Sequence, residues 1–151
     1  MIRHIFNIFP LLLIPVIIYF VMTFGSSSGI GPDGAAGFAT FLDSQVVELS
    51  MASGVKWVLS IGDLLLLFAI VVLFIEIIKS ASSGSATILN HGLSMGVFVV
   101  CFIAFMLVKS FATSTFFFLT MMALIDVLAG FTVSIVTARR DFGVGGGFGS
   151  S

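Results

Sequence analysis

The stretch LIDVLAGF, residues 124–131, places a carboxylate, Asp126, inside a long apolar run. An acid in such a setting can hold a proton, hold a cation, or bond to a neighbouring helix. Other polar residues share these surroundings. SIGD at 60–63 carries Asp63, IEIIK at 75–79 carries Glu76 with Lys79, and NHGLSMG at 90–96 carries His91 and Ser94. None of these makes a hydrolytic triad, and a single cysteine, Cys101, makes neither a metal-binding cluster nor an intramolecular disulfide. The glycines of DFGVGGGFGSS are followed by no lysine and no helix, so they do not form a phosphate loop. No catalytic, cofactor-binding or metal-binding residue, and no enzyme activity, is expected.

The elements that position these residues follow from composition. The 151 residues are 59% hydrophobic and 9% charged, against about 25% charged in a soluble domain. Mean hydropathy is +1.27, and lipid is the implied solvent. A net charge of -1 supplies no field to attract nucleic acid. A bilayer core takes about 20 apolar residues as helix, and four segments qualify. They are residues 5–24, 61–78, about 89–108 and 115–136. The first is too long for a signal-peptide core and lacks a clear cleavage site, so it is read as a retained span. Pro10 and Pro15 should kink it or delay its regular start. The short link KSFATS makes the last two spans antiparallel neighbours.

Charge sets the direction. With the N-terminus inside, Arg3, Lys79, Arg139 and Arg140 are cytoplasmic, and only Lys56 and Lys109 lie outside. Both termini are therefore expected in the cytoplasm. In the outer segment 25–60, VVELSM and VKWVLS flank ASG, which fits a hairpin with a three-residue turn; an interfacial helix over 37–49 is the competing reading. Trp57 stands close to the membrane boundary. Residues 1–142 form a single transmembrane domain, and 143–151 a flexible glycine-rich tail.

Each acid has a structural reading beside a functional one. S-x-x-D spacing makes Ser60 and Asp63 a helix cap rather than an ion site. Glu76 has Lys79 at i+3 and can be satisfied by an ion pair near the headgroups. Asp126 has no such escape: at 1.5 Å per residue it is about 15 Å from either end of its span. Ala123, Asp126, Ala129, Gly130, Ser134 and Thr137 form a small, polar stripe around it. On the preceding span Gly92 and Gly96 make a small-xxx-small motif enclosing Ser94, so the third and fourth helices should pack closely through these faces. Asp126 is then packing glue, bonded within that core or to a partner. The sharper alternative is that Asp126, Glu76 and His91 line a proton or cation path. His4 and His91 as haem ligands form a third reading, in which neither residue lies deep in a span.

SGVKWVLSIGDLLLLF, then IEIIKSASSGSATILNHGLSM, then ATSTFFFLTMMALIDVLAGFTVSIVTARRDF, resembles a group of small uncharacterised inner-membrane proteins of proteobacteria. The similarity covers about two thirds of the chain, residues 53–142. It implies a small multi-span inner-membrane protein and carries no activity. The expected fold is thus an all-α membrane protein of four transmembrane helices, with a short outer hairpin or interfacial helix. Its expected role is as a non-enzymatic accessory or structural subunit, surrounded by the bilayer and associated with other membrane subunits or with itself. A small proton- or cation-conducting protein is the alternative.

Overall fold

The computed structural model describes residues 9–25, 34–80 and 85–144. Its elements in chain order are α1 (Leu13–Gly25), α2 (Gly34–Leu42), β1 (Gln45–Ser50), β2 (Lys56–Ser60), α3 (Ile61–Ser80), α4 (Ser85–Leu107), a 3-10 turn (Lys109–Phe111) and α5 (Ser114–Val144). The molecule is mostly helical. Three stretches, Ile61–Ser80, Leu89–Leu107 and Ser114–Val133, are long and apolar enough to cross a membrane.

The first expected span takes a shorter form. α1 has 13 residues, about 20 Å at 1.5 Å per residue, against the roughly 30 Å of a bilayer core. Residues 5–8, like Arg3 and His4, lie outside the described residues. Pro10 delays the helix: Leu13 N–H donates to Pro10 O at 3.1 Å and Ile14 N–H to Leu11 O at 2.9 Å, a tight turn that opens into α1. Pro15 falls in the first helical turn, where its missing N–H costs no intrahelical bond.

The hairpin reading of the outer segment holds, whereas the competing helix over 37–49 does not: the helix spans Gly34–Leu42, and residues 45–49 belong to a strand. α2 is a short apolar helix, and β1 and β2 form an antiparallel hairpin. Its turn is closed by Gly54 N–H to Met51 O and Met51 N–H to Val55 O, both at 2.9 Å. Gly54 has φ of 82°, the left-handed conformation that a three-residue hairpin loop requires and that glycine adopts without a Cβ clash. The register pairs Val47 with Leu59 and Leu49 with Trp57, and a bulge lies between Gln45 and Val47. Opposite residues share a face, so one side of the hairpin is apolar. The other carries Glu48 and Lys56, which form an ion pair.

The hairpin runs directly into α3. Ser60 and Asp63 make a reciprocal cap: Asp63 N–H donates to Ser60 Oγ at 3.1 Å, while Asp63 Oδ2 accepts from Ser60 N–H at 3.0 Å and from its hydroxyl at 2.8 Å. This satisfies donors that a helix start leaves open.

α5 is the central helix and packs against both α3 and α4. At the hairpin end the core is aromatic. Tyr19 of α1 stands 5.4 Å from Phe38, 5.5 Å from Phe111 and 4.8 Å from Phe116, ring centre to ring centre. Its hydroxyl bonds to Thr113 Oγ1 at 2.6 Å and donates to Ser110 O at 3.2 Å. Thr113 Oγ1 also accepts Phe116 N–H at 3.2 Å at the start of α5. A buried phenol thus ties α1 to the turn between α4 and α5, as burial of a hydroxyl in apolar surroundings demands. Leu65, Ala69, Cys101 and Leu119 continue the core beneath it.

α5 extends past residue 136, the expected end of the fourth span, through ARRD at 138–141 to Val144, so Gly143 and Val144 belong to the helix and not to the tail. Residues 145–151 lie outside the described residues.

Candidate functional site

Glu76, Asn90, His91, Ser94 and Asp126 of the three long helices gather away from the hairpin. Counted from the hairpin end of each helix at 1.5 Å per residue, Asp126 lies about 18 Å in, Ser94 about 20 Å, Glu76 about 22 Å and His91 about 24 Å. They share one layer, yet divide into two groups with different chemistry.

Glu76 is fully enclosed, at 0% exposure, and both of its oxygens are used. Oε1 accepts from Asn90 Nδ2 of α4 at 2.6 Å. Oε2 accepts from Leu11 N–H at 2.9 Å and pairs with Lys79 Nζ, also at 2.9 Å. Lys79 in turn donates to Phe9 O at 2.7 Å and to Asn90 Oδ1 at 3.4 Å. The Glu76–Lys79 pair exists, but it is buried rather than exposed among headgroups. Its carboxylate stands at the start of α1, where unpaired amides and the helix dipole favour negative charge. A pair so enclosed is tolerable only when its remaining bonding capacity is filled, and here it is. This group clamps α1, α3 and α4 together.

The second group lies in the α4–α5 seam. Asp126 is 2% exposed and Ser94 2%. Ser94 lies beside the Asp126 carboxyl, and Glu76, His91 and Lys79 are close enough to act on its charge. Even so, the Ser94 hydroxyl and Asp126 Oδ1 make no hydrogen bond of proper geometry, and neither ring nitrogen of His91 has a partner. These are four buried polar atoms without bonds in one seam. The His91 ring lies against Gly130, one turn beyond Asp126 on α5, and a Cβ there would overlap it. Gly130 is the close approach that lets an imidazole enter the seam.

The sequence motifs map onto this arrangement unevenly. His91, Ser94, Asp126 and Gly130 come together. Ala123 is buried on the same stripe, Ala129 is half-buried, and the side chains of Ser134 and Thr137 lie outside the described residues. Gly92 and Gly96 do not join them: both are exposed, with open space where a Cβ would stand, so the small-xxx-small motif does not bring α4 against α5. The two glycines instead floor an apolar groove of about 330 Å³ between α1 and α4, lined also by Leu13, Val16 and Val97. The reason is angular. Ser94 stands two positions from each glycine, so when the serine faces α5 the glycines turn away. Asp126 is also covered by its own chain, so the bonding capacity it keeps faces the seam and not a partner. Ser60 and Asp63 stand at the opposite end, in the cap of α3.

Sequence reasoning did not assign roles to Asn90 or to the Leu11 amide. The signal for the latter was Pro10, which holds the helix back and leaves an amide needing an acceptor. Among the described residues no three His, Cys, Asp or Glu side chains converge as a metal site. No family model matches the chain, and no curated protein or solved structure is found to be similar to it.

Proposed function

We propose that this chain is a non-enzymatic accessory or structural subunit of a larger assembly in a bacterial inner membrane. It is held there by four crossings, α1 belonging to the first, with both termini in the cytoplasm. The reading rests above all on the apolar face of the hairpin, where Leu49, Met51, Val55 and Trp57 are 44%, 49%, 64% and 50% exposed. Two strands alone are marginal in water, and an apolar face with two open edges is a surface for another protein. The partner is another membrane subunit or a second copy of the chain.

Extraction in mild detergent, followed by particle mass and identification of co-purifying chains, tests this. The native protein should run as a particle larger than one 16.0 kDa chain in its detergent belt, and Leu49→Ser with Trp57→Ser should reduce it to a single chain. A native particle of one chain without companions overturns the reading. Asp126→Asn, being internal, should leave the particle intact.

A second reading, a small proton- or cation-conducting protein using Asp126 with Glu76 and His91, is favoured by the unpartnered polar atoms of the α4–α5 seam. Flux into sealed vesicles that is lost in Asp126→Asn supports it; equal flux in the two proteins removes it.

A further inference from the structure

We propose that His91, Ser94 and Asp126 form an exchangeable proton-binding site, in which one proton is shared between the Asp126 carboxyl and the His91 imidazole with the Ser94 hydroxyl as relay. The site stands whether or not protons cross the membrane, so it does not depend on either functional reading above. Three observations carry it.

The first is the unmet bonding capacity itself. Asp126 Oδ1, Ser94 Oγ and both nitrogens of His91 are enclosed and unpartnered in one seam. Native interiors rarely leave such atoms idle, and a carboxyl, a hydroxyl and an imidazole are complementary: the acid donates, the hydroxyl both accepts and donates, and the imidazole accepts. Ser94 is one turn from His91 on the same face of α4, which places it to relay.

The second is the contrast with the neighbouring acid. Glu76 has an ammonium, an amide side chain and a backbone N–H for its two oxygens. The charged groups around the site are Glu76 and Lys79 on α3 and His91 on α4; Tyr19, the ionisable residue of α1, is at the other end of the bundle. Glu76 and Lys79 neutralise each other, so a full countercharge for an ionised Asp126 is left only when a proton sits on His91. A proton supplies what they do not.

The third is the ligand set. Among the described residues no three His, Cys, Asp or Glu side chains converge here, and His91 with Asp126 gives one fewer than the three protein ligands that even an open zinc site takes. The proton balance is simple. In the loaded site the acid is neutral and the imidazole is neutral. Transfer moves the proton from Asp126 oxygen to a His91 nitrogen and gives carboxylate and imidazolium. Release to water then leaves carboxylate and neutral imidazole.

The test is pH-titrated infrared difference spectroscopy of the full chain in lipid nanodiscs, with no transport assay involved. The wild type should show a carboxylic-acid carbonyl band that disappears as pH rises and is absent in Asp126→Asn, which keeps the shape of the side chain. Its midpoint should move by about one pH unit or more in His91→Gln, since loss of a neighbouring ionisable group shifts a buried acid by that order. Nitrogen-15 spectra of the wild-type histidines, with His4→Gln to assign the signals, keep the test independent of how His91→Gln folds. The His91 resonance should change with the same midpoint as the Asp126 band. A carbonyl band that survives in Asp126→Asn, a pH-independent Asp126 band, or a His91 resonance indifferent to that midpoint overturns the proposal.

Discussion

At the scale of single residues, two carboxylates at nearly the same depth have opposite situations, and substitution should separate them. Glu76→Ala strips the partner from a buried ammonium and from the Leu11 amide. It should cost about 3–5 kcal/mol, the usual range for breaking a buried pair, read from unfolding in detergent. Glu76→Gln with Lys79→Met removes both charges together and should recover much of that loss, because a buried pair owes little to its own attraction once both desolvation costs are gone. If the double variant is as unstable as Glu76→Ala, the clamp is not electrostatic. Gly130→Ala tests the seam. The new methyl must displace the His91 ring, and overpacking of this sort costs about 1–3 kcal/mol. His91→Ala should restore the stability of Gly130→Ala, a coupling that a double-mutant cycle measures directly.

At the scale of elements, the hairpin and the start of α3 behave as one piece. Ile61 N–H reaches back to Ser44 O at 3.1 Å, and the Ser60–Asp63 cap follows at once. Asp63→Ala should therefore cost about 1 kcal/mol, the value of a helix cap, and loosen the base of the hairpin. Amide exchange should then rise at Ser60 and Asp63 while α5 stays protected. Gly54→Ala forces a Cβ into a left-handed conformation and should cost about 1 kcal/mol, confined to the turn. The exposed apolar residues of the hairpin respond differently: Leu49→Ser and Trp57→Ser should leave stability unchanged within about 0.5 kcal/mol, as surface positions do. Trp57 is the single tryptophan, so its fluorescence reports the environment of this face alone. Quenching by bromine-labelled lipid in the isolated protein, relieved in the native assembly, would mark a face that exchanges lipid for a partner.

For the whole molecule, the charge distribution makes a prediction about direction. Lys79 lies at the end of the bundle away from the hairpin, with Arg139 and Arg140 on the last part of α5, whereas Lys56 and Lys109 lie at the hairpin end. The buried thiol of Cys101 can be replaced by serine to give a cysteine-free chain. In that background Ser53→Cys, at the hairpin tip, should react with a membrane-impermeant maleimide applied to spheroplasts, while Ser82→Cys, between α3 and α4, should react only after lysis. The reverse pattern would invert the topology and place the Glu76 clamp and the His91–Asp126 seam on the outer side.

The sequence by itself determined the parts governed by local physics. Long apolar runs dictate helix, so the three long spans were legible within a few residues; ASG between β-rich runs dictates a tight turn, and S-x-x-D dictates a cap. Depth was legible too, because rise per residue is fixed: counting along the spans brings Glu76, Ser94 and Asp126 within about one or two turns of each other, with His91 nearer the cytoplasm. What counting could not give was rotation about each helix axis. GLSMG held two competing faces, glycine and serine, two positions apart, and only packing against α5 decided that Ser94 turns inward and the glycines outward. The same decision separated the two acids. Whether Glu76 meets the Leu11 amide or Asp126 Oδ1 goes without a bond depends on which neighbour arrives, and a neighbour contributed by residues 9–11 to a helix some 65 positions later in the chain leaves no periodic trace in either segment. In a chain whose helices are apolar on nearly every side, no single stripe announces the inward face. The tertiary structure chose it, through the few polar groups that could not be left in lipid.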